Sequence, residues 1–583
     1  MIETGRRLID EFIEFISNLD KVGIVPVIEA PTGYGKSVSA PLIAAENYRK
    51  NFSTNFIHVL PLRAIVEDLY LCKYLYALSR NVTSCRSGPP KLFYEALELM
   101  DIHSEDNVAY QMGFDYMLKG IGVKEPTYDA KIVISTLDSL ALNFLRIPVT
   151  EVYREIKHYA IPRARIFTAT VFLDEAHMIN RFEDESSGKM LSFLKILIEF
   201  SLKTETPLII ASATLWNNFR RKILSWSDNK AVFFIISKED GKQGPGIYVR
   251  DRDFEDYAKS IKWHTNIIDE VDLVSKVMEH VEKGEKILIV RDSIEDAVNL
   301  YTALPLNEDE KALIHGRMCL EDREKALELS AKAKVVIATP VVEAGVDWDF
   351  DVGFRDATNI PSIVQVFGRV CRSRCNCEGS VYLIVKHDKV SNDTAKIIEF
   401  VRSSKVINWR IPYSYVSDRG EEIRGYQELL ELTSSDLRED TKAENIFKWL
   451  IYPTIIPSSY INTIFREYSR LGGILREPLT QFYVYGKQGL ENAKIVQDII
   501  SGTLSYSLNL VYRFRSCIEG VACVAESDSG IYVHYPQPRK KNYVDVFELQ
   551  YECSKFASDV RGRTVFSGFI VERSCYKKGI GLL

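Results

Sequence analysis

The sequence predicts an α/β protein: two parallel-sheet domains in tandem, followed by a mixed, largely helical domain. Three observations carry this. Short β-branched runs alternate with helix-like segments through residues 23–237, and the pattern resumes over 286–385. Continuous apolar strands separated by helices read as parallel sheets covered on both faces. A polar break rich in Gly and Pro, "KEDGKQGPG" at 238–246, interrupts the alternation as a linker would. Beyond about residue 390 the pattern turns helical and Tyr-rich, then ends in short strands near "YRFRSC" and "GIYVHYP". The expected domains are 1–245, 246–390 and 391–583, in keeping with a chain of 583 residues at roughly 150 per domain.

In chain order, the strands of the first domain are "GIVPVIEAP", "FIHVLPL", "AKIVIST", "TVFLDEAH", "LIIASAT" and "VFFIIS". Those of the second are "KILIVRD", "KALIHGR", "KVVIATP" and "SVYLIV". Residues 80–128 read as an insertion in the first domain, and no internal repeat relates the two domains.

Composition narrows the function classes. The chain is 46% hydrophobic and 26% charged, with a net charge of −6. That is ordinary for a soluble globular protein and gives no global attraction to nucleic acid, so nucleic-acid binding would use local basic tracks. The start, "MIETGRRLIDEFIEF", lacks the apolar core of a secretory leader, and no run of about 18 uncharged apolar residues spans a membrane. Ten cysteines in such a chain are expected as reduced thiols, in a cytoplasmic protein. Only nine glutamines, beside abundant Ile, Lys, Glu and Arg, lean towards a thermophile.

The chemistry begins at "APTGYGKS", residues 30–37, between a strand and a helix. This is the setting of a phosphate-binding loop. Thr32 lies in the loop, Gly33 and Gly35 let backbone N–H groups approach phosphates, Lys36 reaches the β/γ-phosphates, and the Ser37 hydroxyl can ligate Mg²⁺. The usual pattern starts with Gly; here Ala30 stands there. At "VFLDEAH", Asp174 and Glu175 end an apolar strand, where ligands bind in open parallel sheets. Asp174 can hold the metal while Glu175 orients or deprotonates the attacking water. His177, with Ser212 and Thr214 of "SAT", would couple this site to neighbouring motifs. Further on come "TPVVEAGVDWD" (339–349), with Gly345 and Asp347 as nucleotide-side candidates, and "VQVFGRVCRSR" (364–374). Arg369 and Arg372 are three apart, which on a helix places them on one face. A solvated basic face is one reading; two cations aimed at an anion is the other.

Taken in order, APTGYGKS, PLRA (61–64), STLD (135–138), DEAH, SAT, ATPVVEAGVD and QVFGRVCR resemble the motifs of superfamily 2 helicases, over about residues 25–385. The resemblance implies two RecA-like domains with ATP between them. It implies that Arg369 and Arg372 act as arginine fingers and that Gln365 contacts the nucleotide or its γ-phosphate network. Many relatives carry Arg directly after that Gln; here Val366 follows. Arg63, Thr136, His315, Arg317 and Thr339 stand at positions that grip nucleic-acid backbone in the family. "RFR" (513–515) and "RKK" (539–541) are candidate basic tracks.

The GVDWDFD segment, the DEAH box and the long C-terminal domain are most similar to the CRISPR-associated helicase of type I interference systems. This implies an ATP- and Mg²⁺-dependent motor, 3'-5' on single-stranded DNA, recruited by an RNA-guided CRISPR surveillance complex. Many such helicases carry a fused histidine–aspartate (HD) nuclease. With the phosphate loop starting at Ala30, the expectation here is a separate HD nuclease subunit, and no membrane partner. Two other readings are a DNA-repair or RNA helicase and, of another class, an ATP-gated interaction scaffold. Cys371, Cys375 and Cys377 form C-x3-C-x-C, but no second pair with metal-like spacing exists, so thiols are expected; "KHD" (386–388) reads as a surface turn.

Overall fold

Each apolar run assigned to the two parallel-sheet domains is a strand. The computed structural model describes residues 4–78, 85, 88–113, 122–147, 160–180, 185–340, 348–386, 391–433, 437–451, 475, 479–536 and 546–582. By internal contacts the chain forms two units, each built from two stretches: Met1–Leu273 with Glu343–Ser458, and Val274–Val342 with Ser459–Leu583.

The first unit carries a nine-stranded sheet. Its strands are β1 (Val25–Glu29), β2 (Asn55–Leu60), β3 (Val108–Gln111), β4 (Ile132–Thr136), β5 (Ala169–Leu173), β6 (Leu208–Ser212), β7 (Ala231–Ile236), β8 (Gly241–Gln243) and β9 (Gly246–Val249). Their spatial order is β3-β4-β2-β5-β6-β1-β7-β9-β8. All neighbours run parallel except β8 and β9. β1 lies centrally, with Val27 opposite Ile210 and Val25 opposite Ala231. It is buried along its whole length, as a strand covered on both faces must be. The helix Arg7–Ser17 buries Leu8, Ile9, Phe12, Ile13 and Ile16 on one face, and Phe12 meets Phe234 of β7 edge-on at 4.9 Å. The insertion adds β3, the edge strand beside β4.

The same unit holds three further parallel strands, Lys262–Asp269, Glu378–Val385 and Val352–Asp356, in that spatial order. Residues 426–433 and 437–451 pack on the helices after β5 and β6. Asp440 O accepts from Ser192, Glu444 pairs with Lys195, and Glu439 pairs with Lys222 while accepting from the Trp226 indole.

In the second unit, Ile287–Val290, Val335–Ala338 and Lys311–Ile314 are parallel neighbours in that order. Thr503–Ser507, Leu479–Tyr483, Arg563–Val571, Ile518–Ser527 and Gly530–His534 form a mainly antiparallel sheet. Phe482, Leu504, Phe569 and Leu549 share its core.

Four expectations are corrected. The Gly- and Pro-rich break is a hairpin, β8 paired with β9, turning at Gly244 with φ +55°. "YRFRSC" is the end of the helix Asn509–Arg513 and a tight turn, not a strand. Arg369 and Arg372 do not share a helix. The helix Ile360–Phe367 ends before them, Cys371 takes a left-handed φ of +53°, and Asp349 Oδ1 accepts from the Arg372 backbone N–H at 2.9 Å. Finally, the cysteines are mostly paired: Cys72–Cys85, Cys371–Cys377, Cys517–Cys575 and Cys523–Cys553 form disulfides, leaving Cys319 and Cys375 as thiols. The paired Cα atoms lie 5.0–6.0 Å apart, within disulfide reach. Pairing follows spatial neighbours 6 to 58 residues apart in sequence, which spacing alone does not show. Among the described residues, no helix is long and apolar enough to cross a membrane.

Candidate active site

The site lies in the first unit, at the C-terminal ends of β1, β5 and β6. After β1, the loop 30–35 turns through Gly33 (φ +80°) and Gly35 (φ +109°) into the helix Lys36–Arg49. A side chain at either glycine would be strained. No side chain caps this helix, so its first N–H groups and the positive end of its dipole are left for an anion. Lys36 is buried, and its Nζ donates to the carbonyl oxygens of Ala30 (2.8 Å) and Pro31 (3.2 Å).

Asp174 and Glu175 follow β5. Asp174 Oδ1 accepts from the Glu175 N–H at 2.9 Å, and its Oδ2 lies 3.5 Å from His58 Nε2 of β2. Burial works to raise the Asp174 carboxyl, but the adjacent His58 and Ser37 and the charge of Lys36 outweigh it and hold the group below its ordinary value. Glu175 behaves oppositely. Burial, aided by Asp174, pushes it up to about 7 against the pull of Lys36, Arg369 and Arg372. Two adjacent carboxylates are thus held in different protonation regimes, an arrangement suited to one ligand and one base. Asp174 Oδ2 and Glu175 Oε2 are buried without a hydrogen-bond partner. Beside the Ser37 hydroxyl, that oxygen set suits a hard cation such as Mg²⁺, which takes few protein ligands and keeps phosphate and water oxygens.

His177 Nδ1 lies 3.1 Å from Ser212 Oγ and 3.4 Å from Glu175 Oε2, and Ser212 Oγ accepts from the Thr214 N–H at 3.2 Å. The three residues expected to couple motifs are therefore linked by hydrogen bonds, and His177 stands beside Glu175.

The arginine segment reaches this same site. Thr32 Oγ1 donates to Gln365 Oε1 at 2.8 Å. Gly368 permits the approach, since a Cβ there would come within 3.2 Å of Thr32 Cβ. Arg369 is buried and its charge acts on Glu175. Arg372 Nε lies 3.5 Å from where a Cβ on Gly33 would stand. The structure thus brings together Thr32, Gly33, Gly35, Lys36, Ser37, Asp174, Glu175, His177, Ser212, Thr214, Gln365, Arg369 and Arg372. Gly345 and Asp347 lie outside the described residues, as do His387 and the "RKK" track.

The backbone-gripping candidates are placed differently. In the first unit, Arg63 opens the helix Arg63–Leu69 and is half-buried. Thr136 is buried, capping the helix Leu137–Phe144 by accepting from the Ser139 N–H at 3.4 Å. In the second unit, Thr339 is buried and its N–H donates to Ile314 O at 3.1 Å. His315 donates from Nε2 to Ile580 O (2.7 Å) and accepts at Nδ1 from the Arg317 N–H (3.1 Å). Arg317 pairs with Glu295 at 3.0 Å and lies over Tyr506 and Phe514. The side chains of Thr136, His315 and Arg317 are engaged inside the protein, and that of Thr339 is buried.

Two residues of the site had no motif to announce them. His58 is a buried histidine on an apolar strand. Arg410, in "NWRIP", falls in what read as the accessory domain, yet its Nη1 donates to Thr32 O at 3.1 Å.

Comparison with known proteins agrees with this architecture. The Cas3-like C-terminal family, described as "CRISPR-associated nuclease/helicase Cas3, C-terminal", matches residues 283–375. The CRISPR-associated nuclease/helicase Cas3 of Methanothermobacter thermautotrophicus is 22% identical over 474 residues, covering 75% of this chain and 52% of that protein. That of Streptococcus thermophilus is 22% identical over 389 residues, covering 60% and 39%. The crystal structure of T. fusca Cas3 with AMPPNP superposes with a TM-score of 0.54 at 14% identity, over 87% of this chain and 64% of that one. The chain spans about half or less of the length of these two curated relatives. In sequence and in fold, this chain is similar to superfamily 2 helicases of the Cas3 type.

Proposed function

We propose that the chain is an ATP-driven DNA helicase or translocase of type I CRISPR interference, moving 3'-5' on single-stranded DNA supplied by an RNA-guided surveillance complex. One observation carries the reading. The phosphate loop, the Asp174–Glu175 pair and the Gln365–Arg369–Arg372 segment meet at one place, fastened by the Thr32–Gln365 hydrogen bond across 333 residues of sequence. A merely basic surface segment would not be buried against a phosphate loop.

In this reading Lys36 and the N–H groups of the loop hold the β- and γ-phosphates. Ser37 and Asp174 would hold Mg²⁺, which would supply charge neutralisation at the phosphate oxygens. Glu175, with a carboxyl near neutrality, takes the proton of the attacking water. Arg369 and Arg372 face the negative charge that develops on the transferring phosphoryl group, a preorganised stabilisation that needs no reorganisation during the step. His177, beside Glu175 and hydrogen-bonded through Ser212 to Thr214, relays the state of the γ-phosphate to the strand ends. We assign DNA cutting to a separate HD-type nuclease subunit. Such a centre needs several His and Asp ligands in one cavity, whereas His58, His177, His280 and His315 of this chain are engaged in internal contacts.

The test measures ATP hydrolysis by the purified chain with Mg²⁺, alone and with single-stranded DNA or single-stranded RNA. The reading expects DNA to stimulate turnover more than tenfold, with translocation on substrates carrying a free 3' tail. Stimulation by RNA alone would move the assignment to an RNA helicase, and no hydrolysis under any condition would reject a motor.

A further inference from the structure

We propose that Arg410 is a positioning residue for ATP hydrolysis: it fastens the phosphate loop to the arginine segment, so that Arg369 and Arg372 meet the γ-phosphate only while both loops are held. The inference rests on the nucleotide-site reading above and adds a residue to it.

The guanidinium bridges two loops far apart in sequence. Nη1 donates to Thr32 O at 3.1 Å and Nη2 to Val370 O at 3.2 Å. Thr32 lies between Pro31 and Gly33 of the phosphate loop; Val370 lies between Arg369 and Cys371. The bridge therefore touches the main chain of both partners and leaves their working side chains alone. It also comes close to the loop itself, with Nη1 3.6 Å from where a Cβ on Gly33 would stand.

The local structure presents this arginine deliberately. Asn408 Oδ1 accepts from the N–H groups of Arg410 (2.9 Å) and Ile411 (3.1 Å), a turn closed by an Asn side chain. Asn408 Nδ2 in turn donates to Ala258 O at 3.1 Å. Trp409 is locked by its indole N–H donating to Thr265 Oγ1 at 3.0 Å and by packing edge-on against Phe367 at 4.7 Å. Phe367 ends the helix that carries Gln365. The segment 408–410 is thus anchored on both sides of the cation it delivers.

Energetics argue against a space-filling role. Arg410 is only 2% exposed. Among the described residues no carboxylate lies within ion-pairing distance of it, and its Nε is buried without a hydrogen-bond partner. A buried cation held by two neutral carbonyls, with Asp349 acting on it only from beyond ion-pairing distance, is costly, and an apolar side chain of similar volume would ordinarily pack there at lower cost. Such a charge is explained where two main-chain oxygens must be held in one fixed geometry, which the planar fork of an arginine does. Arg372 and Arg410 converge on Gly33 at 3.5 and 3.6 Å, so both guanidiniums brace the same turn of the phosphate loop. The bridge thus fixes where Arg369 and Arg372 stand whether or not nucleotide is bound, so its loss should tell on turnover rather than on affinity.

The test compares the parent with Arg410→Ala, Arg410→Met and Arg410→Lys. It reads kcat and KM for ATP with saturating single-stranded DNA, the Kd of a fluorescent non-hydrolysable ATP analogue, and the melting temperature. Ala and Met should lower kcat at least 100-fold while KM and Kd stay within about threefold. Lys keeps the charge and folds like the parent, but one ammonium does not span both carbonyls as the planar fork does; it should lose on the order of tenfold in kcat with KM unchanged. A parent-like kcat in the Lys variant, or in a folded Met variant, would overturn the proposal. So would a rise in KM with kcat preserved, which would make Arg410 a ground-state ATP ligand. If the parent itself hydrolyses no ATP, the nucleotide-site reading falls as well; if the parent is active and the variants match it, this inference alone falls.

Discussion

Removing Arg369 tests the chemistry of the site at its most demanding point. Arg369 is 3% exposed. It follows the Gly368 turn that lets this segment reach Thr32, and its charge acts on Glu175. Arg369→Ala deletes one unit charge facing the phosphoryl oxygens. Two opposite unit charges about 4 Å apart, at an effective dielectric of about 20, interact by about 4 kcal/mol. At about 1.4 kcal/mol per decade, that is about a thousandfold in rate. Arg372 remains on the same side of the site and limits the loss, so the lower end of the range of about 10³ to 10⁵ known for arginine fingers is expected. The assay is continuous phosphate release at saturating ATP and single-stranded DNA, beside the affinity for a fluorescent ATP analogue. Turnover should fall about a thousandfold while analogue binding changes less than about threefold. A folded Arg369→Ala protein hydrolysing ATP within tenfold of the parent would refute the reasoning and return the arginines to a basic face.

Lys36→Ala is expected to abolish DNA-stimulated hydrolysis and weaken ATP binding, whereas Glu175→Gln abolishes hydrolysis with binding retained; equilibrium binding and single-turnover assays separate the two. His315 is buried as the neutral Nε2-H tautomer, so burial, with Arg317 adding to it, depresses its pKa to about 4. A second proton on Nδ1 would oppose the Arg317 N–H. This contribution to stability is present above about pH 6.5 and lost as pH falls towards 4, on the order of 3 kcal/mol. Urea unfolding of parent and His315→Gln at pH 7.5 and 4.5 should show a smaller acid loss in the variant; equal losses would refute it. The Cys523–Cys553 bond closes a loop of separation 30, worth about 3.6 kcal/mol; Cys523→Ala with Cys553→Ala should lower the thermal midpoint by several degrees, and an unchanged midpoint counts against the pairing. Incubated with single-stranded DNA, ATP and Mg²⁺, Mn²⁺, Co²⁺ or Ni²⁺, the purified chain should leave the DNA uncut; cleavage that disappears on mutating one of its own residues would reveal an active site in it.

Much of this was legible because the informative signals are local. A phosphate loop needs glycines and a lysine at fixed offsets between a strand and a helix, so Gly33, Gly35 and Lys36 declare themselves, and DEAH declares itself by ending an apolar strand. What sequence concealed depends on distant approach. Arg410 is one arginine in a tail-like stretch until folding sets it beside Thr32, 378 residues away. The spacing of Arg369 and Arg372 suggested a shared helical face, but the positive φ of Cys371 and the hold of Asp349 on the Arg372 backbone replace the helix with a turn. A glycine-rich break reads alike as linker or hairpin, since both use the same residues; only the pairing of Lys242 with Ile247 decides it.

That each unit is assembled from two separated stretches has a consequence in time. Lys36 and Arg369 are 333 positions apart, and ribosomes add roughly 5–20 residues per second. The nucleotide loop therefore emerges roughly 20 to 60 seconds before the arginines that complete it. On the proposed function, a nascent chain would carry the residues that grip nucleotide well before those that complete its hydrolysis. The same delay leaves parallel strands waiting for distant neighbours, and long-range pairings of this kind form slowly. Synthesis rate and chaperone supply, more than intrinsic stability, should set how much active protein a cell recovers.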